Sequence, residues 1–218
     1  PGTKYLYGIS QSILGRVAEV ASGKSFDIFL KESLFDPLEM NRTGFYLDEK
    51  TKKLLQPLYV SGGNLEGFNE DGITRIGNMM TYHKDSQTPL GAEGVLTTSG
   101  DFSNFCEMLV SNGSFKGKKI LAPESIGLMT SKFSEGYPEE YWGEQYFLGF
   151  YKGLSVYVLE DPNKMDLNAP KGIYGWSGLQ NTFFWIDPEN SIYGILLSRS
   201  MSSGLPYEEL LNNTYENF

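Results

Sequence analysis

"YGWSGLQNTFFWIDP", residues 174–188, contains two short runs rich in aromatic and β-branched residues, separated by turn-forming ones. That pattern predicts two strands joined by a tight connection. The same character extends outward. "YFLGFYKG" (146–153), "LSVYVLE" (154–160) and "SIYGILLS" (191–198) are further short strand candidates. Asp187-Pro188-Glu189-Asn190 reads as the turn between the last two, which explains Asp187 by turn chemistry alone. The closing "LPYEELLNNTYENF" reads as a helix. An antiparallel meander followed by one helix is therefore predicted for 141–218.

Residues 1–140 have a different periodicity. Ile13, Leu14, Val17, Val20 and Ala21 recur at helical spacing, with Gly23 as the stop. Ser25 is placed as the N-cap of a second helix carrying Phe26, Phe29, Leu30 and Leu34, with Pro37 beyond its end. From Asn41 to about Leu90 the periodicity fades, and "VSGGNLEGFNEDG" reads as a long loop, a functional cover rather than a linker. A third helix follows "GAEGVLTTSGDF", with Phe102, Phe105, Cys106 and Leu109 as its buried stripe and Asn112-Gly113 at its end. "LAPESIGLMTSKF" is a fourth, with Pro123 in its first turn. Helices and loops first, then the meander and a final helix, give an α+β order within one domain, divided at about residue 140. The meander leaves a strand edge that needs a cover or a partner.

Composition narrows the function. The net charge of −9 speaks against nucleic acid or anionic lipid as partner, since either selects a basic face. No apolar run approaches the ~18 residues of a membrane span. With 40% hydrophobic and 14% aromatic residues the chain can bury a real core. One cysteine, Cys106, excludes an internal disulfide and a Cys-rich zinc site. One histidine, His83, excludes a Ser-His-Asp triad unless it is itself the base. No metal and no cofactor is expected, and the compartment stays open.

The order of several motifs resembles the serine β-lactamase and penicillin-binding-protein superfamily, in its class C-like and esterase branch. These are Pro1-Gly2-Thr3, Tyr7 four residues later, "ILGRVAEVASGKSFDIFLKESLFDPLEMNRTGF", "GAEGVLTTSGDFSNF", "ILAPESIGLMT" and "YGWSGLQNTFFWIDP". The resemblance implies a β-lactamase/transpeptidase-like fold and three site motifs. The first, Ser-x-x-Lys, matches no serine of the chain; the nearest hydroxyl match, Thr81-Tyr82-His83-Lys84, is out of order. With Pro1 in first place, this leads to the expectation of a C-terminal portion of a longer protein, inactive by itself.

The second motif falls on Tyr7-Gly8-Ile9. The resemblance gives Tyr7 the role of proton carrier, while its residue chemistry also fits a Tyr packed beneath the following helix. The third falls on Trp176-Ser177-Gly178, with the Leu179 N–H as an oxyanion donor. Trp176 stands where β-lactamases carry a Lys, which favours a neutral ester or amide over a β-lactam. The same three residues also fit a sheet aromatic followed by a β-bulge. The implied activity is acyl transfer through a serine acyl-enzyme on a small ester, amide or β-lactam-like substrate. The alternatives are a β-lactamase or D-alanyl peptidase, and a non-catalytic relative that binds peptide or cell-wall fragments.

Overall fold

The computed structural model describes residues 8–46, 48–56, 58–60, 67–69, 75–76, 79–80, 89–135, 148–200 and 207–216. They fall into two compact units: the described parts of Leu6–Phe105 with Arg199–Ser203, and those of Cys106–Ser198 with Gly204–Phe218.

The first unit opens with α1, Ser10–Ser22, closed by Gly23 in the left-handed conformation (φ 70°), its N–H donating to the Glu19 carbonyl at 2.9 Å. Ser25 precedes α2, Phe26–Leu30, in extended geometry, but its side chain makes no capping bond. The Glu19 carboxylate does that work, accepting from the Phe26 N–H at 2.9 Å. A π turn, Lys31–Phe35, continues α2 and buries Phe35; Leu38, Met40 and Phe45 further along the chain are buried as well. The apolar positions of α1 run at helical spacing as predicted, yet Ile9, Ile13, Leu14, Val17 and Val20 are exposed and Gly15 is its one buried residue.

The stretch from Asn41 to Leu90 contains more regular structure than its sequence suggests. It includes α3, Glu49–Lys52, and two short antiparallel pairs, β1 (Leu58–Val60) with β2 (Gly67–Asn69) and β3 (Arg75–Ile76) with β4 (Met79–Met80). Strands of two or three residues are too short to show alternation, so the sequence gives no period for them. Gly44 bridges Leu96, and Thr43 reaches both Thr97 (2.7 Å) and the Asp101 carboxylate (2.8 Å). These bonds fasten the start of α4, Ser99–Val110, where Thr98 Oγ1 accepts from the Asp101 N–H.

The second unit contains the sheet. After α4 come the small hairpin β5 (Ser114–Phe115) and β6 (Lys118–Lys119), then α5, Pro123–Thr130, with proline at its start as predicted. Among the described residues six antiparallel strands follow: β7 (Ser134–Glu135), β8 (Phe150–Lys152), β9 (Tyr157–Leu159), β10 (Tyr174–Gly178), β11 (Thr182–Asp187) and β12 (Ile192–Leu196). They lie side by side in chain order, as a meander does. The C-terminal helix α6, Tyr207–Tyr215, packs Tyr207, Leu211 and Tyr215 into a core with Leu159, Ile173, Phe183 and Trp185. On the alternate positions of the strands, Val158, Tyr174 and Ile186 are buried, and burial raises the pKa of the Tyr174 phenol. Burying each large side chain here stabilises the fold by about 1.5–3 kcal/mol. The predicted α+β order of helices, antiparallel sheet and closing helix is the order observed. Among the described residues no helix is long and apolar enough to cross a membrane.

Candidate active site

Strand β10 lies between β9 and β11, and its register with β11 is unbroken from Tyr174↔Ile186 to Gly178↔Thr182. No bulge occurs at Ser177-Gly178 on that side. Two glycines make room for β11, one for its backbone and one for the Thr182 side chain. A Cβ on Gly175 would fall 1.9 Å from the Phe184 carbonyl oxygen, and one on Gly178 would fall 2.3 Å from Thr182 Oγ1. Between them, the Trp176 ring is half-buried and lies parallel to Tyr157, with centroids 4.8 Å apart and planes 3° apart.

Beyond Gly178 the chain reverses in three residues. The Asn181 N–H donates to the Gly178 carbonyl at 3.1 Å, and Asn181 takes the left-handed conformation at φ 58°. This is a three-residue hairpin loop: a turn followed by a left-handed residue that restores the strand twist. Leu179 is the first central residue of that turn. Its side chain is 54% exposed, and its N–H meets no acceptor among the described residues. An open N–H at the end of a rigid strand can donate to an oxygen on which negative charge develops.

The structure therefore places Trp176, Ser177, Gly178 and Leu179 in one continuous strand end, with Ser177 and Trp176 half-buried and Gly178 and Leu179 exposed. Tyr7, the second site residue expected from the sequence, lies outside the described residues, as do His83 and Thr81–Lys84. Two further residues join the strand. Tyr157 of β9 is buried against Trp176, and Lys152 of β8 sets its Nζ 5.6 Å from the Trp176 ring centre and 5.9 Å from that of Tyr157. Burial holds the Lys152 pKa below the usual lysine value. No sequence spacing pointed to either residue, because their proximity is created by pairing across three strands. Among the described residues no cluster of His, Cys, Asp and Glu could hold a metal ion.

The family model described as Beta-lactamase matches residues 1–212, nearly the whole chain. The chain belongs to the Beta-lactamase family. Among relatives of this Beta-lactamase-family chain, an uncharacterized protein from Mycobacterium tuberculosis (strain CDC 1551 / Oshkosh) is 26% identical over 194 residues, covering 86% of this chain and 47% of its own length. The N-acetylmuramyl-L-alanine amidase of Bacillus subtilis (strain 168) is 25% identical over 229 residues, covering 99% of this chain and 48% of its own. Among solved structures, EstCE1, described as a hydrolase with promiscuous acyltransferase activity, superposes with a TM-score of 0.77 at 22% identity, over 99% of this chain and 57% of that one. That superposition carries the β-lactamase/transpeptidase-like fold. The chain spans about half the length of the curated relatives it matches.

Proposed function

We propose that this Beta-lactamase-family chain serves acyl transfer through a serine acyl-enzyme, acting as an esterase or amidase on a small substrate. The observation that carries the reading is the Leu179 N–H, exposed and without an acceptor among the described residues, at the end of a strand paired with β11 along its whole length and with β9 at Tyr174 and Gly175. The 218 residues hold no Ser-x-x-Lys, so in this reading the serine comes from a segment outside them. That serine attacks the carbonyl carbon, while its Lys and the Tyr7 phenol carry its proton to the leaving group. Leu179, with the serine's own N–H, holds the oxyanion, and water then releases the acyl group. Trp176, Ser177 and Gly178 form the wall along which the substrate lies. The amidase among the relatives agrees with an amide as one substrate class. A large aromatic at Trp176 disfavours a β-lactamase or D-alanyl peptidase, since an indole offers no charge to a carboxylate. In the same reading the outer edge of β12, which pairs with β11 on its other side, takes a further strand.

A proline at position 179 tests the central role. Leu179 is the first central residue of a turn that accepts proline, and Gly178 before it is extended strand, so Leu179→Pro removes the N–H and keeps the turn. In the protein carrying its serine, kcat is expected to fall about 10²–10³-fold with the melting temperature held or slightly raised. Unchanged kcat in a folded Leu179→Pro protein would remove the oxyanion role. Tyr7→Phe in the same protein is expected to lower kcat by about 10²-fold. The 218-residue chain alone is expected to form no adduct with a fluorophosphonate, read by intact mass.

A further inference from the structure

The pair that closes α4, Asn112-Gly113, is the only Asn-Gly in the sequence. Asn112 is exposed and takes the left-handed conformation at φ 52°. Its N–H donates to the Leu109 carbonyl at 3.1 Å, and the Gly113 N–H donates to the Met108 carbonyl at 2.9 Å. Those two bonds around a left-handed residue make a Schellman cap on the helix. Gly113 is held on its other side as well. Its carbonyl accepts from the Ile120 and Leu121 N–H groups at 2.8 and 2.9 Å, and a Cβ there would fall 2.4 Å from the Leu121 carbonyl oxygen. At φ 90° in that space only glycine fits, so the cap itself calls for this chemically labile pair.

We infer that Asn112 is a self-modification site gated by the cap: it closes to a succinimide, and then to isoaspartate, only from the state in which the end of α4 has opened. This goes beyond the acyl-transfer reading and does not depend on it. In the reaction the Gly113 nitrogen attacks the side-chain carbonyl carbon of Asn112. The bond from that carbon to Nδ2 breaks, and the proton lost by Gly113 leaves with Nδ2 as ammonia. Water then opens the ring at one carbonyl to give aspartate or at the other to give isoaspartate. Glycine after the asparagine puts no side chain in the path of attack. The folded chain opposes each part of this. The Gly113 proton is tied to the Met108 carbonyl, so the nitrogen cannot shed it while that bond lasts. The bonds from Ile120 and Leu121 hold Gly113 against the rotation that would turn its nitrogen toward the Asn112 side chain. The reaction is slow beside the opening of a helix end, so the folded rate is the unfolded rate multiplied by the open fraction. Its product also harms the fold. Isoaspartate adds a carbon to the backbone inside the cap, and its carboxylate meets the negative end of the helix dipole. Helix α4 carries the buried Cys106, Met108 and Leu109, so a transient opening becomes a lasting loss of core packing.

The test uses the 218-residue chain itself, incubated at pH 8.5 and 37 °C, folded and in concentrated guanidinium chloride. Cleavage after glutamate releases residues 108–124, and mass spectrometry with electron-transfer fragmentation counts aspartate and isoaspartate at position 112. The folded chain is expected to react at least about 10-fold more slowly than the unfolded one. Phe115 is 2% exposed in the hairpin that follows Gly113, and Phe115→Ala loosens that hairpin while leaving the pair intact. It should raise the folded rate several-fold and leave the unfolded rate unchanged. Phe115→Leu gives the same comparison if Phe115→Ala does not melt cooperatively. Tyr215→Phe weakens the anchoring of α6 instead and should leave the folded rate within about 2-fold of the parent. Equal rates in the folded and unfolded chain, no reaction in the unfolded chain, or folded rates that follow the melting temperature alone across these variants would each overturn the proposal.

Discussion

Asp187 shows how far a single residue can be read. Its place before Pro188 marks it as a turn residue, and its Oδ1 does accept from the Glu189 and Asn190 N–H groups at 3.0 Å each. The carboxylate is, however, fully buried, and Oδ2 accepts from Asn190 Nδ2 and from the Tyr215 hydroxyl, both at 2.8 Å. The turn thereby anchors the last helix, a link that nothing in local sequence signals. Tyr215→Phe leaves a buried carboxylate oxygen one donor short, and the expected loss is about 1–3 kcal/mol. Urea denaturation followed by far-UV circular dichroism measures it; a loss below about 0.5 kcal/mol would make the bond incidental. The residues of the candidate site divide on the same principle. Trp176, Ser177, Gly178 and Leu179 were legible because they are consecutive, whereas Lys152 and Tyr157 come beside them only through strand pairing.

Among elements, the strands from β8 to β12 and the helices α1, α4, α5 and α6 were readable from period and punctuation. Each is either long enough to show a period or lies within a longer aromatic and β-branched run set off by turn residues, as β8 and β9 do in 146–160. The pairs β1–β2, β3–β4 and β5–β6 have two or three residues to a strand and no period to read. Close backbone packing was also invisible. Gly91 of "GAEG" looks like a turn glycine, yet a Cβ there would lie 2.1 Å from the Gln11 carbonyl oxygen and 3.3 Å from the Gly15 N, so this loop seats α1. Gly91→Ala must push helix and loop backbones apart, and an expected cost of about 1–3 kcal/mol follows. Gly8→Ala, with open space around the added carbon, is the matched control and should cost far less. The exposed apolar positions of α1 give a second comparison. Ile13 and Val20 are 57% and 70% exposed, so Ile13→Gln and Val20→Gln should each change stability by less than about 0.5 kcal/mol. A loss above about 2 kcal/mol would mean those side chains are buried in solution.

At the scale of the whole molecule, Cys106, Tyr174 and Tyr215 make stability fall in alkali, while Lys152, whose pKa burial lowers, opposes them. Burial pushes the Cys106 thiol up to about 12 and raises the Tyr174 and Tyr215 phenols, with the Cys106 thiol adding to the first and the Asp187 bond to the second. Near neutral pH all three are protonated in folded and unfolded chains alike, and they contribute no slope. Above about pH 9 the unfolded thiol ionises while the folded one keeps its proton, so the unfolded state binds fewer protons and gains. Each such group lowers stability by up to about 1.4 kcal/mol per pH unit, the two tyrosines joining from about pH 10. The urea midpoint at pH 7.5, 9.0, 9.8 and 10.5 should therefore hold to pH 9 and then drop with increasing steepness, at constant m. Cys106→Ala costs stability at every pH through the space it leaves, so the slope and not the level is diagnostic. Between pH 9.0 and 9.8 that variant should lose most of the decline, and between 9.8 and 10.5 it should retain the tyrosine part. Parallel curves for the two proteins would show that the thiol is not held protonated by the fold and would place the alkaline loss elsewhere.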